Sequence, residues 1–145
     1  MNKFIYPRTL LNEIRQWLFK GKVLIIYGPR QVGKTTVANM IIGENEDSIY
    51  LNCERPDIWE LLRSRNLERI MSYFGSCRLV VFDEAQKIPG IGELLKLLID
   101  TYPDIQYIAT GSSSFNLVSE LSEPLTGRNV KFMLYPFSLM ELSLT

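Results

Sequence analysis

Two groups of residues have the types and spacing that phosphate chemistry needs. Gly28-Pro29-Arg30-Gln31-Val32-Gly33-Lys34-Thr35 fits the pattern G-x-x-x-x-G-K-[ST], in which the glycines let backbone N–H groups close around phosphate oxygens. Lys34 is expected to reach the β- and γ-phosphates of a nucleotide. The Thr35 hydroxyl is the expected ligand for Mg2+, a small hard cation that prefers oxygen. Thr36 is expected near the α-phosphate or as a packing residue. The second group is Leu79-Val80-Val81-Phe82-Asp83-Glu84, four apolar residues followed at once by two carboxylates. Asp83 is expected to hold Mg2+ through its water shell, and Glu84 to orient and deprotonate a water attacking the γ-phosphate. A glycine turn and a strand that ends in surface acids would leave the same letters, so the elements around each group decide between the readings.

Those elements fit. Val23-Leu24-Ile25-Ile26-Tyr27 is a continuous apolar run ending at Gly28, as expected of a strand buried on both faces, and Gly33 to Ile42 reads as the helix that follows. Ile49 to Leu51, Leu79 to Phe82, Ile105 to Ala109 and Val130 to Leu134 read as further strands. Helical patterns at 57 to 74, 91 to 101 and 114 to 121 lie between them, and an amphipathic helix over Thr9 to Lys20 precedes them all. Strands alternating with helices predict a parallel sheet with right-handed crossovers, hence a three-layer α/β domain. The acidic pair then emerges at the carboxyl end of a strand, where ligands bind in open α/β sheets.

Composition narrows the chemistry. The 145 residues, 46% of them apolar, suffice for one domain with its own core. Sixteen basic and sixteen acidic residues cancel, so charge gives no support to a nucleic-acid partner or a membrane surface. There is no histidine, which leaves carboxylates, lysine and arginine to do any catalysis, and the two cysteines, Cys53 and Cys77, have no metal-type spacing. No run approaches the roughly 20 apolar residues of a membrane span, and the first residues lack a signal-peptide pattern. A cytoplasmic chain with reduced thiols is the expectation.

Four weaker candidates follow. Ala109-Thr110-Gly111-Ser112-Ser113-Ser114 places hydroxyls beside the acidic pair if the strands are neighbours, with Ser112 favoured as a γ-phosphate or water sensor and a helix N-cap as the alternative. Arg128 precedes the fifth strand, where its guanidinium could reach a γ-phosphate across a homo-oligomer interface or form a surface ion pair. Asn52 reads as a turn residue rather than a restraint on Glu84. Arg63, Arg65 and Arg69, interleaved with Glu60 and Glu68, read as a solvated helix face.

With GPRQVGKT, LVVFDEAQ, ATGSSS and LTGRNVKFMLYPFSLMEL in that order, the chain resembles a prokaryotic branch of the AAA+ ATPases over essentially its whole length. The resemblance implies a P-loop NTPase fold with sheet order 5-1-4-3-2, ATP and Mg2+ as cofactors, and Gly28 to Thr35 as the Walker A loop. It further implies Asp83 and Glu84 as the Walker B pair, Ser112 as sensor 1, and Arg128 as the arginine before the last core strand. It also implies that residues 1–145 are the ATPase core of a longer protein with a C-terminal region. An ATP hydrolase driving a partner is the leading expectation, with a non-hydrolysing ATP-dependent binding switch, for which DNA is a candidate partner, as the alternative. A metabolite kinase would need an acceptor pocket and an arginine-bearing lid, and a GTPase an N-K-x-D motif; neither feature is found.

Overall fold

The computed structural model describes residues 5–28, 33–112 and 123–134, with side chains from Thr9 onward. In chain order the elements are α1 (Ile5–Trp17), β1 (Val23–Gly28), α2 (Lys34–Glu44), β2 (Ser48–Asn52), α3 (Pro56–Arg63), α4 (Leu67–Phe74), β3 (Leu79–Asp83), a 3₁₀ turn (Ala85–Lys87), α5 (Ile91–Thr101), β4 (Gln106–Ser112) and β5 (Asn129–Met133). The five strands form one sheet in the order β2-β3-β4-β1-β5, and every neighbouring pair is parallel. Read from the other edge, this is the expected 5-1-4-3-2.

Alternation along the strands divides the core in two. Leu24 and Ile26 of β1, Leu79 and Val81 of β3, and Ile108 of β4 pack against Leu10, Leu11 and Ile14 of α1 and Val37, Ala38 and Ile41 of α2. Their neighbours Val23, Ile25, Val80, Phe82, Tyr107 and Ala109 face α3, α4 and α5 on the other side. Central strands sandwiched in this way need apolar residues at consecutive positions, which explains the unbroken runs. Each fully buried Leu or Ile contributes about 1.5–3 kcal/mol relative to exposure, so the three layers hold without a disulfide. Because the strands are parallel, all their carboxyl ends, and therefore Gly28, Asn52, Asp83 and Ser112, lie along one edge of the sheet.

Several boundaries depart from the sequence reading. The helical pattern at 57 to 74 is two helices. Arg65 adopts the left-handed region at φ 56, and Asn66 then caps α4 by accepting the Arg69 N–H at 3.2 Å. Apolar spacing continues across the break and so conceals it. Arg65 accordingly leaves the expected helix face and donates to Gly90 O at 3.1 Å, beside Glu93. The first helix ends at Trp17 rather than Lys20, because Phe19 and Gly21 turn the chain at φ 59 and 77, and Trp17 remains 39% exposed. β4 continues beyond Ala109 to Ser112. The helix expected at 114 to 121 lies outside the described residues.

The cap at the helix break should be measurable. Asn66→Ala is expected to lower stability by about 1 kcal/mol, a fall of about 3 °C in the thermal midpoint for a chain of this size. An unchanged melting curve would remove Asn66 from the account of the break.

Candidate functional site

Gly28 ends β1, and Gly33, at φ 92 and ψ 18, begins α2 in the left-handed region where a side chain is strained. The first turn of α2, with its partial positive charge, lies at the carboxyl edge of the sheet, where Lys34 reaches Gly28 O and Thr35 lies near Asp83. Lys34 is only 7% exposed and folds back over the strand ends, its Nζ donating to Gly28 O at 3.0 Å and Gly111 O at 3.1 Å. Gly33, Lys34, Thr35 and Thr36 line a cleft of about 610 Å³ with Glu54, Asp83 and Glu84. The structure thus brings the lysine, both threonines and the acidic pair to one cleft. Pro29, Arg30, Gln31 and Val32 lie outside the described residues.

Asp83 is buried at the end of β3 and is gripped from both neighbouring strands. Thr110 of β4, fully buried, donates its hydroxyl to Asp83 Oδ1 at 2.5 Å, and the Tyr50 hydroxyl of β2 donates to Asp83 Oδ2. Thr35 Oγ1 is a longer 3.4 Å from that same Oδ2. Burial first, then the Asp83 carboxylate, raises the Tyr50 pKa above its ordinary value, so the phenol stays protonated and a donor. Alternation accounts for the grouping: Tyr50, Asp83 and Thr110 continue the strand positions that face α2, and Thr35 lies on the first turn of that helix.

Glu84 differs from its neighbour. It adopts φ 55 and ψ 47, a left-handed conformation that costs a non-glycine residue about 1 kcal/mol and turns the chain out of β3 into the 3₁₀ turn. Its N–H donates to Thr110 Oγ1 at 3.0 Å, so a single threonine hydroxyl fixes both the Asp83 carboxylate and the Glu84 backbone. Gln86 Nε2 donates to Glu84 Oε2 at 3.3 Å and Ser112 Oγ at 3.4 Å. The Gln86 amide therefore links Ser112 to the acidic pair, and Thr110 stands closer to both acids. The structure gives no partner for the buried Gln86 Oε1 among the described residues.

Two other candidates lie elsewhere or act locally. Asn52 Oδ1 accepts the Glu54 N–H at 3.0 Å, the turn role expected of it. Arg128 O accepts the Val23 N–H at 2.8 Å, which puts Arg128 at the amino edge of the sheet, a strand length of roughly 17 Å from Gly28. There its Nε donates to Asp100 Oδ1 at 2.6 Å in an exposed ion pair. Within one chain Arg128 is not part of the cleft.

Cys53 is fully buried just past β2, and its thiol is pushed up to about 12 by burial and then by the Asp83 and Glu84 carboxylates. It is expected to resist a thiol reagent in the native state while the partly exposed Cys77 reacts, and to react once the chain is unfolded; a native count of two fast thiols would contradict this burial. An ordinary thiol loses its proton near 9.0, whereas the folded one holds it to about 12. The contribution of this group to stability is therefore complete below the lower value and declines as pH rises through that window.

Sequence reasoning missed Tyr50, Thr110, Gln86 and Glu54. The one signal for Thr110 was its position within the hydroxyl run after β4; Tyr50 carried none beyond a polar tip in an apolar strand.

Comparison with known proteins agrees with this geometry. The profile of the AAA domain family matches residues 20–143. Among curated proteins, the chain is 31% identical over 125 residues to the uncharacterized protein Rv2008c of Mycobacterium tuberculosis, and to the same extent to the uncharacterized protein Mb2031c of Mycobacterium bovis. These alignments take in 86% of this chain and 27% of each relative, so the chain spans about a quarter of the length of the curated relatives it matches. A parallel sheet in this order, a Gly33-Lys34 pair opening the helix after its first strand and a family match over most of the sequence have one reading: the chain belongs to the AAA domain family, as a P-loop, ATPase-like nucleotide-binding domain.

Proposed function

We propose that the cleft binds Mg·ATP and hydrolyses it, as the core of a longer protein in which nucleotide state drives a partner. The observation that carries this reading is the lining of one cleft by Lys34 and Thr35 together with Asp83 and Glu84. Among the described lining residues three carboxylates stand against one lysine, a balance that disfavours a bare polyphosphate and favours one accompanied by a divalent cation. The donors suit that cation: the Thr35 hydroxyl and the Asp83 carboxylate are hard oxygens 3.4 Å apart, with room beside them for water ligands. When bound there, Mg2+ neutralises developing charge on the phosphate oxygens.

The chain's own residues supply the remainder. The α2 amino end and Lys34 bind the phosphates, with Lys34 Nζ turning from the Gly28 and Gly111 carbonyls to its ligand. Glu84, whose carboxylate accepts from Gln86 Nε2 at 3.3 Å, takes the proton of the attacking water as the new P–O bond forms and ADP departs. Ser112, through Gln86, would report the state of Glu84 to the end of β4. Arg128 enters this scheme only in trans, with the neighbour's cleft at its edge of the sheet. The alternative reading is an ATP-dependent switch that binds without turnover.

Phosphate release from ATP, followed with excess Mg2+ and again with chelator, separates the two. Sustained Mg2+-dependent release supports the hydrolase, whereas stoichiometric ATP binding with no release, partners included, would leave the switch.

A further inference from the structure

We propose that Tyr50 is a positioning residue for the metal-side carboxylate: its hydroxyl, donated from β2 to Asp83 Oδ2, holds that carboxylate in the orientation the hydrated Mg2+ requires. The inference rests on the reading of the cleft as a Mg·ATP site and extends it to a strand that carries none of the motif residues.

A carboxylate offers about four acceptor positions on its two oxygens. Thr110 occupies one on Oδ1 and Tyr50 one on Oδ2, each from a different flanking strand, and the carboxylate is thereby fixed about its own axis. Acceptor positions remain for the water ligands of a cation. Both donors are neutral, so they orient Asp83 without cancelling the charge that attracts the metal; a lysine or arginine in either place would cancel it. Thr35 Oγ1 makes a longer contact to Oδ2, at 3.4 Å, and as the proposed metal ligand it turns to the cation instead, so it does not replace Tyr50 in this role.

The position of Tyr50 argues against a purely structural role. Its ring packs at the margin of the core facing α2, where an aliphatic or phenylalanine side chain would fill the same half-buried space. The hydroxyl alone needs Asp83, and it reaches forward from a residue paired with Val81, two places before the strand's end. β2 is also an edge strand, so Asp83 senses through Tyr50 any displacement of that edge.

The test is calorimetric titration of ATP over a range of Mg2+ concentrations, and with chelator, for wild type, Tyr50→Phe, Asp83→Asn and the double variant. Loss of a partner that orients a metal ligand typically weakens metal affinity 10–100-fold. Tyr50→Phe is therefore expected to raise the Mg2+ concentration for half-maximal enhancement of ATP binding by about tenfold, with chelator-condition affinity within about twofold of wild type. In the Asp83→Asn background the same change should have no further effect on the Mg2+ midpoint. A wild-type midpoint in Tyr50→Phe overturns the inference, as does an equal loss with and without Mg2+ or an effect that persists undiminished beside Asp83→Asn. ATP binding by wild type that ignores Mg2+ would instead overturn the underlying reading of the cleft, and this inference with it.

Discussion

Lys34→Ala is expected to weaken ATP binding by about 100-fold or more, because it removes the one lysine that lines the cleft among the described residues. A charge-assisted hydrogen bond to phosphate contributes roughly 1.5–3 kcal/mol, and an ammonium can make more than one such bond. The free protein should suffer much less. Lys34 Nζ rests on Gly28 O and Gly111 O in buried hydrogen bonds, and alanine deprives both carbonyls of that donor, a cost of about 1–3 kcal/mol. Thermal unfolding without nucleotide should accordingly shift by only a few degrees, while the stabilisation that ATP confers on wild type should vanish. Equal ATP affinity in the two proteins would remove Lys34 from the site.

Glu84→Gln has an expected effect at least as large, and it falls on turnover. Multi-turnover phosphate release should drop by about 10²–10⁴, the range of general-base contributions, with ATP affinity changed no more than a few-fold. Glutamine keeps the shape of glutamate, and its carbonyl can still accept from Gln86 Nε2. The left-handed backbone and the Glu84 N–H to Thr110 bond belong to the main chain and remain. Only the capacity to accept a proton from water is lost. Undiminished release would transfer the role of base to another cleft carboxylate, with Glu54 the next candidate by position.

Much of this was legible in the sequence for identifiable reasons. The glycine-lysine turn and the acidic strand end are local signals, each written in fewer than about ten consecutive residues, and buried parallel strands announce themselves as unbroken apolar runs. The sheet order followed from resemblance alone, since register and neighbours are set by contacts distant in the chain. The helix break at Arg65 and Asn66 was hidden because the apolar period continues across it, and the left-handed Arg65 is held by Gly90, which lies beyond α4 and β3. Thr110 and Tyr50 escaped for the same reason. Each reads as one more residue of a strand, and its meaning depends on a hydrogen bond to Asp83 from a neighbouring strand. Arg128 shows the reverse: the sequence marks it, and the fold carries it to the far edge, where its relevance depends on a second subunit.

The most direct test of the central claim is a calorimetric titration of Mg·ATP into the wild-type protein, with Lys34→Ala as the control. Wild type is expected to give a single-site isotherm that is lost or greatly weakened in the variant. An absence of binding by wild type, or the same isotherm in both, would contradict that claim.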